Sequence, residues 1–403
     1  MKIAWYSNSP AAPVTGYGSQ SAMLLPRLKA DGHDITVMAN WGQQICPGEW
    51  NGIPILPQGL EPYSMDVIDQ QAAMIDPDLI ITLYDVWVLT GKPIWKDRRV
   101  ASWTPIDHYP VPPKVADWCR QRDTIAMSRF GQQSLADIGI DSTYIPHGVE
   151  GVFSPTYTDI RQRLSVPDDG FLVMINAANI GNAPIPRKAW DVNIQAMADF
   201  ARAHDNVYLY LHTDIRRPGG VPIDGLISFW GMPQDRVRVP EQTTYRMGFI
   251  DQPELASLYS AADVLLAVSH GEGFGVPVVE SMLCGTPAIV SDFSAQPELI
   301  GDTGWLVKGQ LFYDQGQHAA WIMPYVFSIR AALEEAYLEH RTPAQSDRAS
   351  RAMEHAGQYD ADTVYERMWR PFLEGMERSL ASARKPRAIP HPSGNRAARR
   401  AKR

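Results

Sequence analysis

Short apolar runs recur along the chain, each followed by a longer stretch in which apolar residues return at helical spacing. In the first half the runs are KIAWYS (2–7), DITVMA (34–39), LIITLY (79–84), VASWTPI (100–106) and TIAMS (124–128). In the second half they are FLVMINAA (171–178), VYLYLHT (207–213), ADVLLAVS (262–269), TPAIVSD (286–292) and GWLVKG (304–309). Runs that are apolar on both faces read as strands covered by helices above and below, the signature of a parallel sheet. The intervening helices carry the matching period: Trp190, Ile194, Met197 and Ala201 fall on one face. Two such series, each long enough for its own core, predict an α/β chain of two doubly wound domains. The junction is expected at IPHGVEGVFSP (145–155), which gives domains at 1–153 and 154–357. From about 324 the pattern turns helical. A terminal helix is expected over 358–380, with Val364, Met368, Phe372 and Met376 four residues apart and Pro371 as the point where it bends.

Composition narrows the class. At 403 residues the chain is long for one core, and 45% hydrophobic with 20% charged residues excludes wholesale disorder. The opening MKIAWYSNSP has too short an apolar run for a signal peptide, and no run approaches the roughly 18 residues that span a bilayer. A cytoplasmic location is expected. Cys46, Cys119 and Cys284 are odd in number and lack metal-site spacing, which argues against a disulfide framework or a zinc site. The net charge of −8 conceals an asymmetry: residues 381–403 hold eight of the 37 basic side chains and no acidic one, leaving 29 against 45 elsewhere, a net of −16. A body that acidic repels a nucleic-acid backbone. The Ala-, Pro- and Arg-rich tail over 381–403 reads as disordered, either merely solubilising or able to touch an anionic partner.

Candidate chemistry is concentrated in SHGEGFGVPVVESMLCGTPAIVSD (269–292), which follows an apolar strand and opens a helix. Gly271, Gly273 and Gly275 leave the backbone bare where a ligand must come close, and the amides around Gly273, Phe274, Gly275 and Val276 can face an anion at the positive end of the helix dipole. Val276, Val279 and Leu283 form the stripe expected to dock that helix. Glu272 and Glu280 are carboxylates that can accept hydrogen bonds from vicinal hydroxyls on two different rings. A plainer reading leaves Glu280 on an exposed helix face and the glycines in a tight turn.

This segment resembles the E-x7-E region of glycosyltransferase family 4, retaining enzymes of the GT-B fold, in the form Glu272-GFGVPVV-Glu280. PAIVSD, then PELIGDTGWLV after a short gap, is similar as well. The resemblance spans about residues 1–310 and a terminal helix. It implies two Rossmann-like domains facing a cleft, with the C-terminal helix returning to the first. It also implies that Glu272 contacts the donor sugar, that Gly273 to Val276 line the donor, and that Glu280 binds the nucleotide ribose.

Three further segments fit this picture with departures. NAANIGNAPIPRKAWDV (176–192) places Arg187 and Lys188 at the start of a helix, where cations oppose the dipole. A bound anion explains that placement; a solvated basic pair is the alternative. Lys188 matches the family's diphosphate-gripping lysine. The family's Gly-Arg after the strand is missing, replaced by residues around Asn179 to Gly181, and Arg187 is a candidate substitute. In SNSPAAPVTGYGSQSAML (7–24), Gly16 and Gly18 stand between the first strand and its helix, resembling a family loop that faces the donor phosphates. Position 21 is Ser where a dinucleotide fingerprint has its third glycine, which counts against an NAD-dependent oxidoreductase. SWTPIDHYPVPP (102–113) ends a strand with Asp107 and His108. Relatives carry a His near the donor sugar here, and either residue can take that place. IPHGVEGVFSP resembles the family's Pro-Asn-Gly-Val-Asp linker, with His147 for Asn.

The function implied is retaining transfer of a hexose-type sugar from a nucleotide-diphosphate sugar, with no cofactor and no metal, because cationic side chains and amides take up the leaving charge. Asp76-Pro77-Asp78 reads as a turn before a strand rather than a metal motif. The rivals are a sugar-nucleotide epimerase on the same fold, an inactive sugar-nucleotide-binding protein and a nucleic-acid-modifying transferase. No motif encodes the base, the sugar or the acceptor, whether glycan, lipid, protein or small molecule. The whole reading requires Lys188 to lie beside the 272–280 turn.

Overall fold

The computed structural model describes residues 1–12, 15–89, 91–181 and 185–384. Its first sheet contains β1 (Lys2–Asn8), β2 (Asp34–Trp41), β3 (Gly48–Trp50), β4 (Ile53–Leu56), β5 (Leu79–Leu83), β6 (Val100–Thr104), β7 (Asp123–Ala126) and β8 (Thr143–Tyr144). Their spatial order is β3-β4-β2-β1-β5-β6-β7-β8, parallel except for the antiparallel pair β3–β4. The second sheet contains β9 (Phe171–Asn176), β10 (Val207–His212), β11 (Val237–Arg238), β12 (Val264–Leu266), β13 (Ala288–Ser291) and β14 (Trp305–Val307), in the parallel order β11-β10-β9-β12-β13-β14. Each of the ten apolar runs holds a strand, and β5 and β6 are buried at every position, as strands between two helical layers must be.

The sequence did not yield β3, β4, β8, β11 or the antiparallel hairpin β15 (Gly309–Asp314) and β16 (Ala319–Pro324). Two-residue edge strands carry no pattern to read. The hairpin lies outside both main sheets, β15 is largely exposed, and the buried positions of β16, Ala319, Ile322 and Pro324, do not alternate in a readable way.

Three helical expectations need adjustment. On the helix Trp190–Ala203 the stripe Trp190, Ile194, Met197 and Ala201 is buried as expected. On Val276–Leu283 the buried apolar side chains are Val278, Val279 and Met282, while Val276 and Leu283 are only half-buried. The terminal stripe also shifts: Tyr365, Trp369 and Leu373 join Val364 and Met376 inside, with Met368 and Phe372 at the margin. The cause is a single π turn, Tyr365–Trp369, whose extra residue rotates the apolar face before Pro371 is reached. The last helix, Arg370–Arg384, continues four residues into the segment expected to be disordered; the rest of that tail, 385–403, lies outside the described residues.

Contacts knit the chain across its halves. Arg370 Nε lies 2.9 Å from Asp31 Oδ2, the Tyr365 hydroxyl donates to the same oxygen at 2.7 Å, and Trp369 meets Trp103 edge-on at 4.9 Å, so the terminal helical segment rests on the first sheet's layer. An aromatic series runs from Trp103 through His147 to Phe274 of the second domain, with centroid distances of 4.5 and 5.1 Å. Because Asp107 follows β6 and Gly271 follows β12, and the two meet, the carboxyl ends of both sheets face one another. Among the described residues no helix is long and apolar enough to cross a membrane.

Candidate active site

The loop after β12 owes its glycines to close approach. A Cβ on Gly271 would stand 2.2 Å from the Asp107 carbonyl oxygen. Gly275 has φ +119° and forms the N-cap of Val276–Leu283, with no side chain capping the helix and Pro277 at its second position. Glu272 is fixed within this loop: its amide donates to Ser294 Oγ at 2.9 Å.

Two cations converge on Glu272. Lys188 Nζ is 2.5 Å from Oε1, and Arg187 Nη1 is 2.6 Å from Oε2 and 2.9 Å from the Gly271 carbonyl oxygen. The proximity required of Lys188 is therefore present. Both residues lie in the turn just before the helix Trp190–Ala203, whose N-cap Ala189 is left-handed at φ +49°. Their backbone is tied to the glycine loop by the His270 amide, which donates to the Arg187 carbonyl at 2.9 Å. Burial by itself pushes the Glu272 carboxyl up, but the charges and hydrogen bonds of Arg187 and Lys188 overturn this and hold it at about 2. Burial lowers Lys188, Glu272 opposes that shift, and the adjacent Arg187 reinforces it; the net shift is downward. Glu272 is thus firmly anionic, while the ammonium facing it is the less comfortable partner. A further anion beside Lys188 would oppose that downward shift.

Glu280 is 8% exposed, which excludes the reading that put it on an open helix face. Its Oε2 accepts from the Tyr259 hydroxyl at 2.9 Å, and that hydroxyl accepts from Asn176 Nδ2 at 2.6 Å. Burial raises the Glu280 carboxyl to about 7, with Tyr259 opposing. Phe274 and Val276 complete this wall, Phe274 buried and Val276 half-buried.

Asn179, at the place of the family's Gly-Arg, is fully engaged elsewhere. Its Nδ2 donates to the carbonyls of Asp214 and Val221 and its Oδ1 accepts from the Val221 amide, all at 2.8 Å. It braces a loop and has no group left for a phosphate, whereas Arg187 stands at the charged centre.

On the first domain, Gly16 and Gly18 form the opening turn of the helix Gly16–Ala30 rather than a loop ahead of it. Thr15 caps that turn, its Oγ1 accepting from the Gly18 amide at 3.0 Å. A Cβ on Gly18 would meet the Ala12 carbonyl at 2.7 Å, whereas one on Gly16 would meet nothing within 4 Å among the described residues. What the turn delivers to the centre is Tyr17, whose hydroxyl donates to Asp85 Oδ2 at 3.2 Å. Asp107 and His108 follow β6, with His108 Nδ1 2.7 Å from Asp107 Oδ1. Burial pushes Asp107 up, but His108 and Arg187 bring its carboxyl below the usual range.

Sequence reasoning missed Asp85 and Tyr17. Burial first, then the charge of Asp107, raises Asp85 to about 6, with Arg187 and Tyr17 opposing. The available signal was its position: Asp85 stands two residues past the end of β5, where α/β sheets place polar working residues. Among the described residues no group of three or more His, Cys, Asp or Glu is arranged to hold a metal ion.

Residues 176–315 match the sequence pattern of the family described as "Glycosyl transferases group 1". A 58-residue stretch, 14% of this chain and 15% of the relative, is 40% identical to O-antigen chain mannosyltransferase B of Escherichia coli. Over 209 residues, 47% of this chain and 48% of the relative, it is 30% identical to a GDP-mannose-dependent alpha-(1-6)-phosphatidylinositol dimannoside mannosyltransferase of Mycobacterium tuberculosis. The chain spans less than half the length of each of these two relatives. In three dimensions it superposes on sucrose-phosphate synthase from Thermosynechococcus elongatus with a TM-score of 0.73 at 18% identity, over 95% of this chain and 100% of that one. The fold is the two-domain α/β GT-B arrangement, and the stretch that matches the family contains both the Arg187–Lys188 pair and the Glu272–Glu280 segment.

Proposed function

We propose that the chain is a retaining glycosyltransferase that moves a hexose-type sugar from a nucleotide-diphosphate sugar to an acceptor held against the first domain. In this reading residues 1–153 form the acceptor side and 154–357 the donor side. The observation that carries it is the convergence of Arg187 and Lys188 on Glu272, at the mouth of the helix Val276–Leu283. Breaking the bond from the anomeric carbon to the donor phosphate leaves positive charge on the sugar and negative charge on the diphosphate. A diphosphate in the cleft would share the two cations with Glu272, and those cations, together with the helix amides, would stabilise the departing charge. Cationic side chains then do this work without a metal ion or cofactor. The Glu272 carboxylate, ionised at any ordinary pH, can accept hydrogen bonds from sugar hydroxyls, and buried Glu280 can do the same for the ribose.

The name of the Mycobacterium tuberculosis relative puts GDP-mannose at the head of a donor panel that also holds UDP-glucose. Released sugar and nucleotide are measured for the unaltered chain, Lys188→Ala and Glu280→Ala. Loss of one preorganised charge donor is expected to cost about 3 kcal/mol, roughly 100-fold in rate. Unchanged rates in both variants would displace the site. Nucleotide binding with no sugar released from any donor would instead identify an inactive sugar-nucleotide-binding protein.

A further inference from the structure

The hairpin β15–β16 follows the second domain's last strand, yet it makes main-chain contact with the first domain. The Tyr109 amide donates to the Ala320 carbonyl at 3.0 Å and the Ala320 amide to the Tyr109 carbonyl at 2.9 Å, so the hairpin pairs with the segment just past β6. Two of its side chains reach His108. The Trp321 ring stacks on the imidazole, with centroids 4.4 Å apart and planes 24° from parallel. Asp314 Oδ2 lies 3.3 Å from His108 Nε2, while Asp314 Oδ1 accepts from the Gly316 amide at 2.8 Å, which fixes the carboxylate in the hairpin turn. On the opposite edge of the ring, Nδ1 faces Asp107.

Both ring nitrogens of His108 therefore face carboxylates, one ring face is covered, and the side chain is 4% exposed. The imidazole is committed to the hairpin and has no edge left for the cleft. Asp107, bonded to that ring through Oδ1, has its own carbonyl oxygen against Gly271, 2.2 Å from where a Cβ there would stand, and its carboxylate feels the charges of Arg187 and Glu272. The hairpin holds the donor loop as well: His270 Nδ1 donates to the Ile322 carbonyl at 2.8 Å, the Ile322 amide donates to the His270 carbonyl at 3.1 Å, and a Cβ on Gly271 would stand 2.9 Å from the Trp321 ring. One element thus fixes the position of a first-domain carboxylate relative to the second domain's glycine loop.

We propose that Asp314 is a positioning residue which, through the His108 ring, aims the Asp107 carboxylate at the Arg187–Glu272 centre. Asp107, rather than His108, is then the group presented to the reacting sugar. The kinetic arm of this inference rests on the glycosyltransferase reading; the geometric arm does not.

The geometric arm uses the full chain with ring-labelled histidine, in which the His108 signals are identified by their loss in His108→Gln. Asp107→Asn and Asp314→Asn are each expected to shift those signals. Unmoved signals in Asp314→Asn would overturn the proposal. The kinetic arm uses UDP-glucose and GDP-mannose. Asp314→Ala is expected to lower kcat on the order of 10-fold with KM within about 2-fold, as misaim of a positioned group does. Asp314→Asn, which keeps an oxygen facing Nε2, recovers part of the loss. Leu311→Ala, on the exposed side of the same hairpin, leaves both constants in place. An unchanged kcat, a rise in KM alone, or an equal loss in Leu311→Ala would each overturn it. If the unaltered chain turns over neither donor, the failure belongs to the glycosyltransferase reading, and the histidine signals still decide the clamp.

Discussion

Gly273 faces Pro105 so closely that a Cβ on the glycine would stand 2.3 Å from the Cβ of the proline. The two residues belong to different domains, and proline cannot swing aside as a flexible side chain would. Relief of a Gly273→Ala clash therefore requires the two sheet ends to separate by on the order of 1 Å, a displacement that misplaces reacting groups and costs roughly 100-fold in rate. Turnover of the productive donor is expected to fall by about that factor, with the far-ultraviolet circular dichroism unchanged. Full activity in Gly273→Ala would show that this close approach is dispensable.

Arg187 and Asn179 should separate cleanly into chemistry and stability. Asn179 is buried and makes three hydrogen bonds at 2.8 Å that join two loops. Asn179→Ala is expected to cost about 2–3 kcal/mol in urea unfolding, because buried partners are left unsatisfied. Its effect on nucleotide release should be small in whatever fraction remains folded. Arg187→Ala is expected to do the reverse: turnover falls roughly 100-fold, as for loss of a preorganised charge donor, with a modest change in unfolding midpoint. Equal activity losses in the two variants would remove Arg187 from the diphosphate role.

The contrast between these residues shows what the sequence could reveal. Strands such as β5 and β6 were legible because burial on both faces leaves an unbroken apolar run. The Glu272–Glu280 segment was legible because its glycines, carboxylates and helix are contiguous. Arg187 and Lys188 could be seen as a basic pair, but their convergence on Glu272 spans 84 and 85 residues of sequence. Asp85 and Tyr17 gain meaning only when three strand ends meet. The hairpin was the least readable part. Leu311 and Tyr313 point outward, and its importance comes from Ala320 pairing with Tyr109 on the other domain, which no local period encodes.

The two glutamates of the donor segment are expected to give opposite pH signatures. Glu272, ordinarily at 4.5, is held at about 2 by Arg187 and Lys188 in spite of its burial. A folded value below the unfolded one means that its contribution to stability is present above about pH 4.5 and is lost as the pH falls toward 2. Glu280 is raised from 4.5 to about 7 by burial. Its contribution is complete below about pH 4.5, declines as the pH rises, and is gone once the pH passes through 7, at a limiting slope of about 1.4 kcal/mol per pH unit. Unfolding in urea between pH 5 and 8 separates the two. The unaltered chain should lose stability relative to Glu280→Gln as the pH rises from 5 to 7, after which the difference levels off, while the difference from Glu272→Gln stays flat across the same range. Parallel curves for the two variants would mean that the Glu280 carboxyl is not buried against Tyr259 as described.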